Sequence, residues 1–155
     1  MATEIERKFL VISDDWRAAA EPGVHFRQGY LASTGRASVR VRLEGQEANL
    51  NIKSATLGVR RSEFEYAIPL DDANEMLDQL CTGGLVEKTR YRVPVDGHVW
   101  EVDVFEGVNA GLVVAEIELN HEDEVFERPT WAGAEVSDDP RYYNVYLAEH
   151  PYTNW

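Results

Sequence analysis

Charged residues in this chain recur on every second position, with apolar residues between them. Glu4-Ile5-Glu6-Arg7-Lys8-Phe9-Leu10-Val11 is the first instance. A period of two is the period of a β-strand, whose successive side chains project to opposite faces. Glu4, Glu6 and Lys8 therefore share one face, and Ile5 and Phe9 the other. The same sorting places Arg40 with Arg42, Asn49 and Asn51 with Lys53, and Arg61 with Glu63 and Glu65. It also groups Lys88, Arg90 and Arg92, pairs Glu101 with Asp103, and pairs Glu116 with Glu118. Such a chain is constrained to build a sheet with one apolar and one charged face.

Two arrangements satisfy that constraint. In the first, the charged face lies in water and is crossed by ion pairs, and any one strand taken alone reads this way. The whole set reads differently. Like charges such as Glu4/Glu6, Arg40/Arg42, Glu63/Glu65 and Glu116/Glu118 lie about 7 Å apart along a strand face and repel. A solvated face gains nothing by collecting one sign on one strand. A cavity does: acids gather a hard cation, and bases gather a multiply charged anion. A dry core cannot hold so many charges unless they are paired or ligand-bound. A closed antiparallel barrel with a wet, charged interior and helices over its apolar outside accommodates both faces.

The remaining signals fit that fold. Strands are predicted over 3–12, 24–32, 37–44, 48–54, 60–69, 85–95, 98–106 and 112–119, with Asp96-Gly97 as a tight hairpin. Ser13 is a candidate N-cap for a short helix over 14–20, which Pro22-Gly23 ends. Asp71 is read as the cap of a helix over 72–81, where Met76, Leu77 and Leu80 form an apolar stripe and Gly83-Gly84 the stop. The segment from about 120 to 150 reads as helical in patches, at 121–127 and 138–148. The expectation is one domain over 1–155, of mainly β (α+β) class: an eight-stranded antiparallel β-barrel with a few covering helices.

Composition narrows the function. No apolar run reaches the ~20 residues of a membrane span, and the start of the chain lacks a signal-peptide segment, so cytoplasmic residence is the default expectation. The single cysteine, Cys81, excludes an intrachain disulfide and is read as a packing residue. A formal net charge of −13 argues against nucleic acid or an anionic membrane as partner. Much of that excess is local, at Glu122, Asp123, Glu124, Glu127, Glu135, Asp138 and Asp139, and reads as a solvated acidic surface. The sequence leaves a homodimer open.

Oxygen-only acids without His or Cys grouping point to Mg²⁺ or Mn²⁺ rather than zinc. Guanidinium and ammonium groups in number, beside such a metal, point to phosphate, and several bases with several carboxylate pairs point to a polyphosphate chain. The four histidines are scattered without metal-ligand spacing, and no GxxxxGK[ST] or GxGxxG loop is present.

Glu4-Ile5-Glu6-Arg7-Lys8 also resembles the ExExK motif of the CYTH domain, the triphosphate tunnel metalloenzyme superfamily. Arg27-Gln28-Gly29-Tyr30-Leu31, Arg40-Val41-Arg42, Ile52-Lys53-Ser54, Glu63-Phe64-Glu65, Glu87-Lys88-Thr89-Arg90-Tyr91, Glu101-Val102-Asp103-Val104-Phe105, Glu116-Ile117-Glu118 and the stretch 136–144 resemble further family segments in family order. The resemblance implies a tunnel that binds a small-molecule linear triphosphate and Mg²⁺ or Mn²⁺. It implies phosphate contacts from Lys8, Arg40, Arg42, Lys53, Lys88, Arg90 and, from the tail, Arg141. It implies metal contacts from Glu4, Glu6, Asp103, Glu116 and Glu118, with Glu63 and Glu65 at a second metal or the attacking water. Lys8, Arg42, Lys53, Lys88 and Glu63 would carry catalysis. One departure is Tyr143, where family members often carry a lysine. The resemblance is to the short bacterial tripolyphosphatases, which implies hydrolysis of tripolyphosphate to pyrophosphate and phosphate. Thiamine triphosphatase, nucleoside triphosphatase, class IV adenylate cyclase and a non-catalytic polyphosphate-binding module are the alternatives.

Overall fold

The computed structural model describes residues 3–155. Nine strands run β1 Thr3–Val11, β2 Val24–Ser33, β3 Ala37–Glu44, β4 Glu47–Ser54, β5 Arg60–Ala67, β6 Thr82–Val95, β7 His98–Phe105, β8 Val113–Glu118 and β9 Ala132–Glu135. Two α-helices, α1 Leu70–Gln79 and α2 Asn144–Glu149, and short 3₁₀ turns complete the described chain. All strand pairings are antiparallel, in the order β5-β4-β3-β2-β6-β7-β8-β1. Pairing of Thr3, Glu4 and Ile5 with Ser62, Arg61 and Arg60 closes the ring into an eight-stranded barrel. The ninth strand, β9, lies along the C-terminal half of β1, opposite Phe9 and Val11.

The apolar core lies mostly outside the barrel. Ile5 and Phe9 of β1, Trp100 and Val102 of β7, and Ala115 and Ile117 of β8 form one outer layer. Trp16, on a 3₁₀ turn, and Trp131 cover it, with the Trp131 ring 5.5 Å from that of Trp100. A second outer layer packs Val41 of β3 and Ala48 of β4 against Ala73 and Leu77 of α1. A third cluster is different. Tyr30, Val86, Phe105 and Val114 follow Gln28, Lys88, Asp103 and Glu116 at period two, so they face inward. They pack against Leu147 and Ala148 of α2, which thereby stoppers one end of the barrel.

Several local expectations are corrected. The segment 121–127 forms no helix: it is a turn and an extended stretch that lays Phe126 against Phe9 and Trp100. Strand β9 is too short to show alternation. The predicted helix at 14–20 is a 3₁₀ turn over Asp15–Ala19, whose Asp15 N–H donates to the Ser13 hydroxyl at 3.3 Å. Helix α1 begins at Leu70 with Pro69 at its N-cap, so Asp71 lies in its first turn, and Leu80 remains exposed. Gly83-Gly84 opens β6 rather than ending that helix. A Cβ there would stand 3.2 or 3.1 Å from the Ala148 carbonyl oxygen, so bare glycine backbone lets β6 meet α2.

Candidate functional site

The barrel encloses a cavity of about 240 Å³. Its charges are segregated. Neighbouring strands β5, β1, β8 and β7 present Glu63, Glu65, Glu4, Glu6, Glu116, Glu118 and Glu101. The opposite wall presents Arg40 and Arg42 of β3, with Glu44 at that strand's end, and Lys88 and Arg90 of β6. Between these two lies β2, the uncharged strand on the inside, contributing Phe26, Gln28 and Tyr30. Lys8, Lys53 and Arg61 sit among the acids.

Cross-strand register shows why the acidic wall is short of positive charge. Glu6 stands opposite Glu118, and Glu116 opposite Glu101. Like charges directly opposite destabilise a sheet. Lys53 approaches Glu4 and Glu63 at 3.2 and 3.3 Å. Arg61 reaches Glu4 at 3.4 Å and Glu6 at 3.8 Å. These cations do not satisfy every carboxylate. Burial, reinforced by Glu116 and Glu4, holds the Glu6 carboxyl well above its usual range. Burial and a hydrogen bond with Glu63 raise Glu4. Burial, with Glu4 and Glu101 nearby, raises Glu118. Burial works the same way on Glu116, but Lys8 and Arg90 overcome it and hold that group well below the carboxylate range.

On the basic wall the deficit has the opposite sign. Arg90 is bound by Asp103 in a fork, Nε to Oδ1 at 2.7 Å and Nη2 to Oδ2 at 2.8 Å. Lys88 Nζ donates to the same carboxylate at 2.7 Å. Arg40 and Arg42 make no ion pair with any carboxylate among the described residues, and both are buried. Arg40 Nε and the side-chain oxygens of Asn49 and Asn51 are buried without a hydrogen-bond partner. Burial, with Arg40 and Arg90 adjacent, pushes Arg42 down to about 9. Burial likewise lowers Lys88 to about 7, against the opposing pull of Asp103 and helped by Arg90 and Arg42. Uncompensated, orphaned cationic donors in a cavity are a site for a multiply charged anion.

Of the residues singled out from sequence, Glu4, Glu6, Lys8, Arg40, Arg42, Lys53, Glu63, Glu65, Lys88, Arg90, Glu116 and Glu118 line this cavity. Asp103 does not: it is fully buried behind the wall, committed to Arg90 and Lys88. Arg141 is also elsewhere, because Asp139 holds its guanidinium at 2.7 Å on the outer surface, over Tyr142. Arg92 lies beyond the cavity and pairs with Glu21 at the exterior. The period of two had indicated the faces of Arg61 and Glu101, although neither was among the candidate ligands. Asn144 lies in the stretch 136–144 that resembles the family but was not among the candidate ligands, and the tail brings it to the cavity. Tyr143, the one departure noted from the family pattern, lines the cavity. Its hydroxyl donates to the Ser137 carbonyl at 2.6 Å, and its ring lies 5.3 Å from both Lys8 Nζ and the Arg61 guanidinium carbon.

As the side chains stand, no three metal-ligating groups among the described residues converge on one point. Lys53 and Arg61 fill the gaps between Glu4, Glu6 and Glu63. An all-oxygen set with opposed carboxylates and a raised Glu6 nonetheless has the chemistry of a hard divalent cation site.

A closed antiparallel barrel with acids on one inner wall and bases on the other, Arg40 and Arg42 among them without a carboxylate partner, has the charge layout that a polyanion and a hard cation require. The sequence profile of the CYTH domain matches residues 2–143, and the chain belongs to that family. It is 46% identical over 155 residues to an inorganic triphosphatase of Acetivibrio thermocellus, covering 100% of this chain and 99% of that protein. An inorganic triphosphatase of Nitrosomonas europaea is 42% identical over 152 residues, covering 94% and 97%. The crystal structure of the inorganic triphosphatase NE1496 aligns with a TM-score of 0.64 at 39% identity, covering 96% of this chain and 95% of the other.

Proposed function

We propose that this protein is a divalent-metal-dependent hydrolase that cleaves inorganic tripolyphosphate to pyrophosphate and phosphate. The observation that carries the reading is the pair Arg40 and Arg42, buried without carboxylate partners and facing an over-full acidic wall. The relatives named as inorganic triphosphatases support it. The aromatic rings near the cavity are engaged elsewhere: Phe26 lies under Arg42, Lys88 and Arg90, Tyr30 packs with Val86 and Phe105, Tyr143 lies under Lys8 and Arg61, and Tyr91 packs outside against Trp16.

In this reading Arg40, Arg42, Lys53, Lys88, Arg90 and Lys8 bind the non-bridging oxygens, bidentate where the guanidinium forks allow. Glu4, Glu6, Glu116 and Glu118 hold Mg²⁺ or Mn²⁺, and Glu63 and Glu65 orient the water. The bound metal supplies charge neutralisation and lowers the pKa of water. Water attacks a terminal phosphorus, the bridging P–O bond breaks, and pyrophosphate leaves with that electron pair. The bases stabilise the charge spread over the equatorial oxygens, so catalysis is mostly positioning and electrostatics. Glu63 or Glu65, which orient the water, takes its proton.

The test is phosphate release with Mg²⁺ or Mn²⁺ from tripolyphosphate, thiamine triphosphate and ATP, with cyclic AMP measured alongside. Metal-dependent release favouring tripolyphosphate is expected. Preference for either organic triphosphate, or cyclic AMP formation, replaces the assignment.

A further inference from the structure

Three consecutive tail residues, Tyr142, Tyr143 and Asn144, each meet a cavity cation from the stoppered end. The Tyr142 carbonyl accepts from Lys8 Nζ at 3.1 Å. The Tyr143 ring underlies Lys8 and Arg61. Asn144 does something more specific. Its Oδ1 accepts from Lys88 Nζ at 3.1 Å and from Gln28 Nε2 at 2.9 Å. Gln28, with no exposed surface, turns its Oε1 to Arg42 Nε at 2.9 Å. A neutral string, Arg42–Gln28–Asn144–Lys88, thus joins two cations on neighbouring parts of the basic wall.

We propose that Asn144, acting through Gln28, is a positioning residue that aims the free donors of Lys88 and Arg42 at one phosphate chain. The proposal rests on the functional reading above. An ammonium has three N–H donors. Asp103 and Asn144 engage two on Lys88, which fixes its rotation and leaves the third for the cavity. Arg42 commits Nε to Gln28, so its two terminal nitrogens remain as a fork. Neutral amides do this without adding a second negative charge to the one that Asp103 already places beside Lys88. Helix α2 therefore fixes the angles of the residues on the wall as well as closing the barrel.

Asn144→Leu keeps the size of the side chain and removes both hydrogen bonds, and Gln28→Leu breaks the string at its other link. Outer-layer interactions that support a reacting group are worth about 10–100-fold. Each variant is expected to lose about 10–100-fold in kcat/KM for tripolyphosphate, mostly in kcat, with a melting temperature near wild type. Because one break disables the string, Gln28→Leu/Asn144→Leu is expected to be no worse than the poorer single variant. Unchanged kcat/KM in Asn144→Leu overturns the proposal. So does a loss that multiplies in the double variant, or one fully accounted for by lowered melting temperature. Calorimetric binding of pyrophosphate separates this proposal from the assigned reaction. If the wild type hydrolyses no triphosphate, the functional reading fails. Weaker pyrophosphate binding by Asn144→Leu than by wild type then still supports the positioning role, and equal binding overturns it.

Discussion

Arg42 illustrates how a single buried charge ties stability to function. Its guanidinium has no carboxylate partner, so folding bears its desolvation without an ion pair in return. Arg42→Ala is expected to lower turnover by at least ~100-fold while leaving the melting temperature close to wild type, measured by phosphate release and thermal denaturation. Glu6 makes the mirror-image case. Burial raises its pKa in the fold, so the folded state holds a proton that the unfolded chain releases near 4.5. Its stabilising contribution is complete below that value and is lost as pH rises through the raised one. Glu6→Gln keeps the neutral form at every pH. The metal-free variant is therefore expected to melt higher than wild type at pH 8, with the gap closing toward pH 4, and to lack activity. Identical melting curves at pH 8 would contradict this. Sequence periodicity located both residues because a face is a local property. The family resemblance, rather than the period, offered Asp103 as a metal ligand and Arg141 as a phosphate contact, and depth and reach depend on neighbours: Arg90 claims the first, and Asp139 the second.

Among the elements, the strands were legible and the tail was not. Alternation encodes a strand in its own residues, so the eight barrel strands fall within a few positions of expectation. The stretch around Phe126 takes its shape from the Trp100 surface that it covers, and no local pattern records such a contact. The two helices give a matched comparison. Leu77 of α1 and Leu147 of α2 are both buried, and truncating either to Ala is expected to cost about 2–5 kcal/mol in denaturant unfolding. Only Leu147→Ala should also depress kcat, because α2 carries Asn144 into the cavity while α1 packs on the outside. Equal kinetic effects from the two changes would argue against a special role for α2.

At the level of the whole molecule, a formal charge of −13 coexists with a basic inner wall. Net charge describes the long-range field and says little about a cavity whose ion pairs lie within 4 Å of one another. Adding Mg²⁺ or Mn²⁺ is expected to stabilise the protein, by about 2.7 kcal/mol at a hundredfold excess over Kd, and to raise its melting temperature by several degrees. A Glu4→Gln/Glu6→Gln variant should lose that rise. An equal rise in the variant would place the cation elsewhere. Closure by α2 has a topological consequence for traffic through the barrel. With one end blocked, and Glu65 and Glu118 exposed to solvent elsewhere on the lining, the pocket is a cul-de-sac. A long phosphate polymer cannot thread through it and can offer only a terminus. Incoming substrate and outgoing pyrophosphate must also share one doorway and wait for each other.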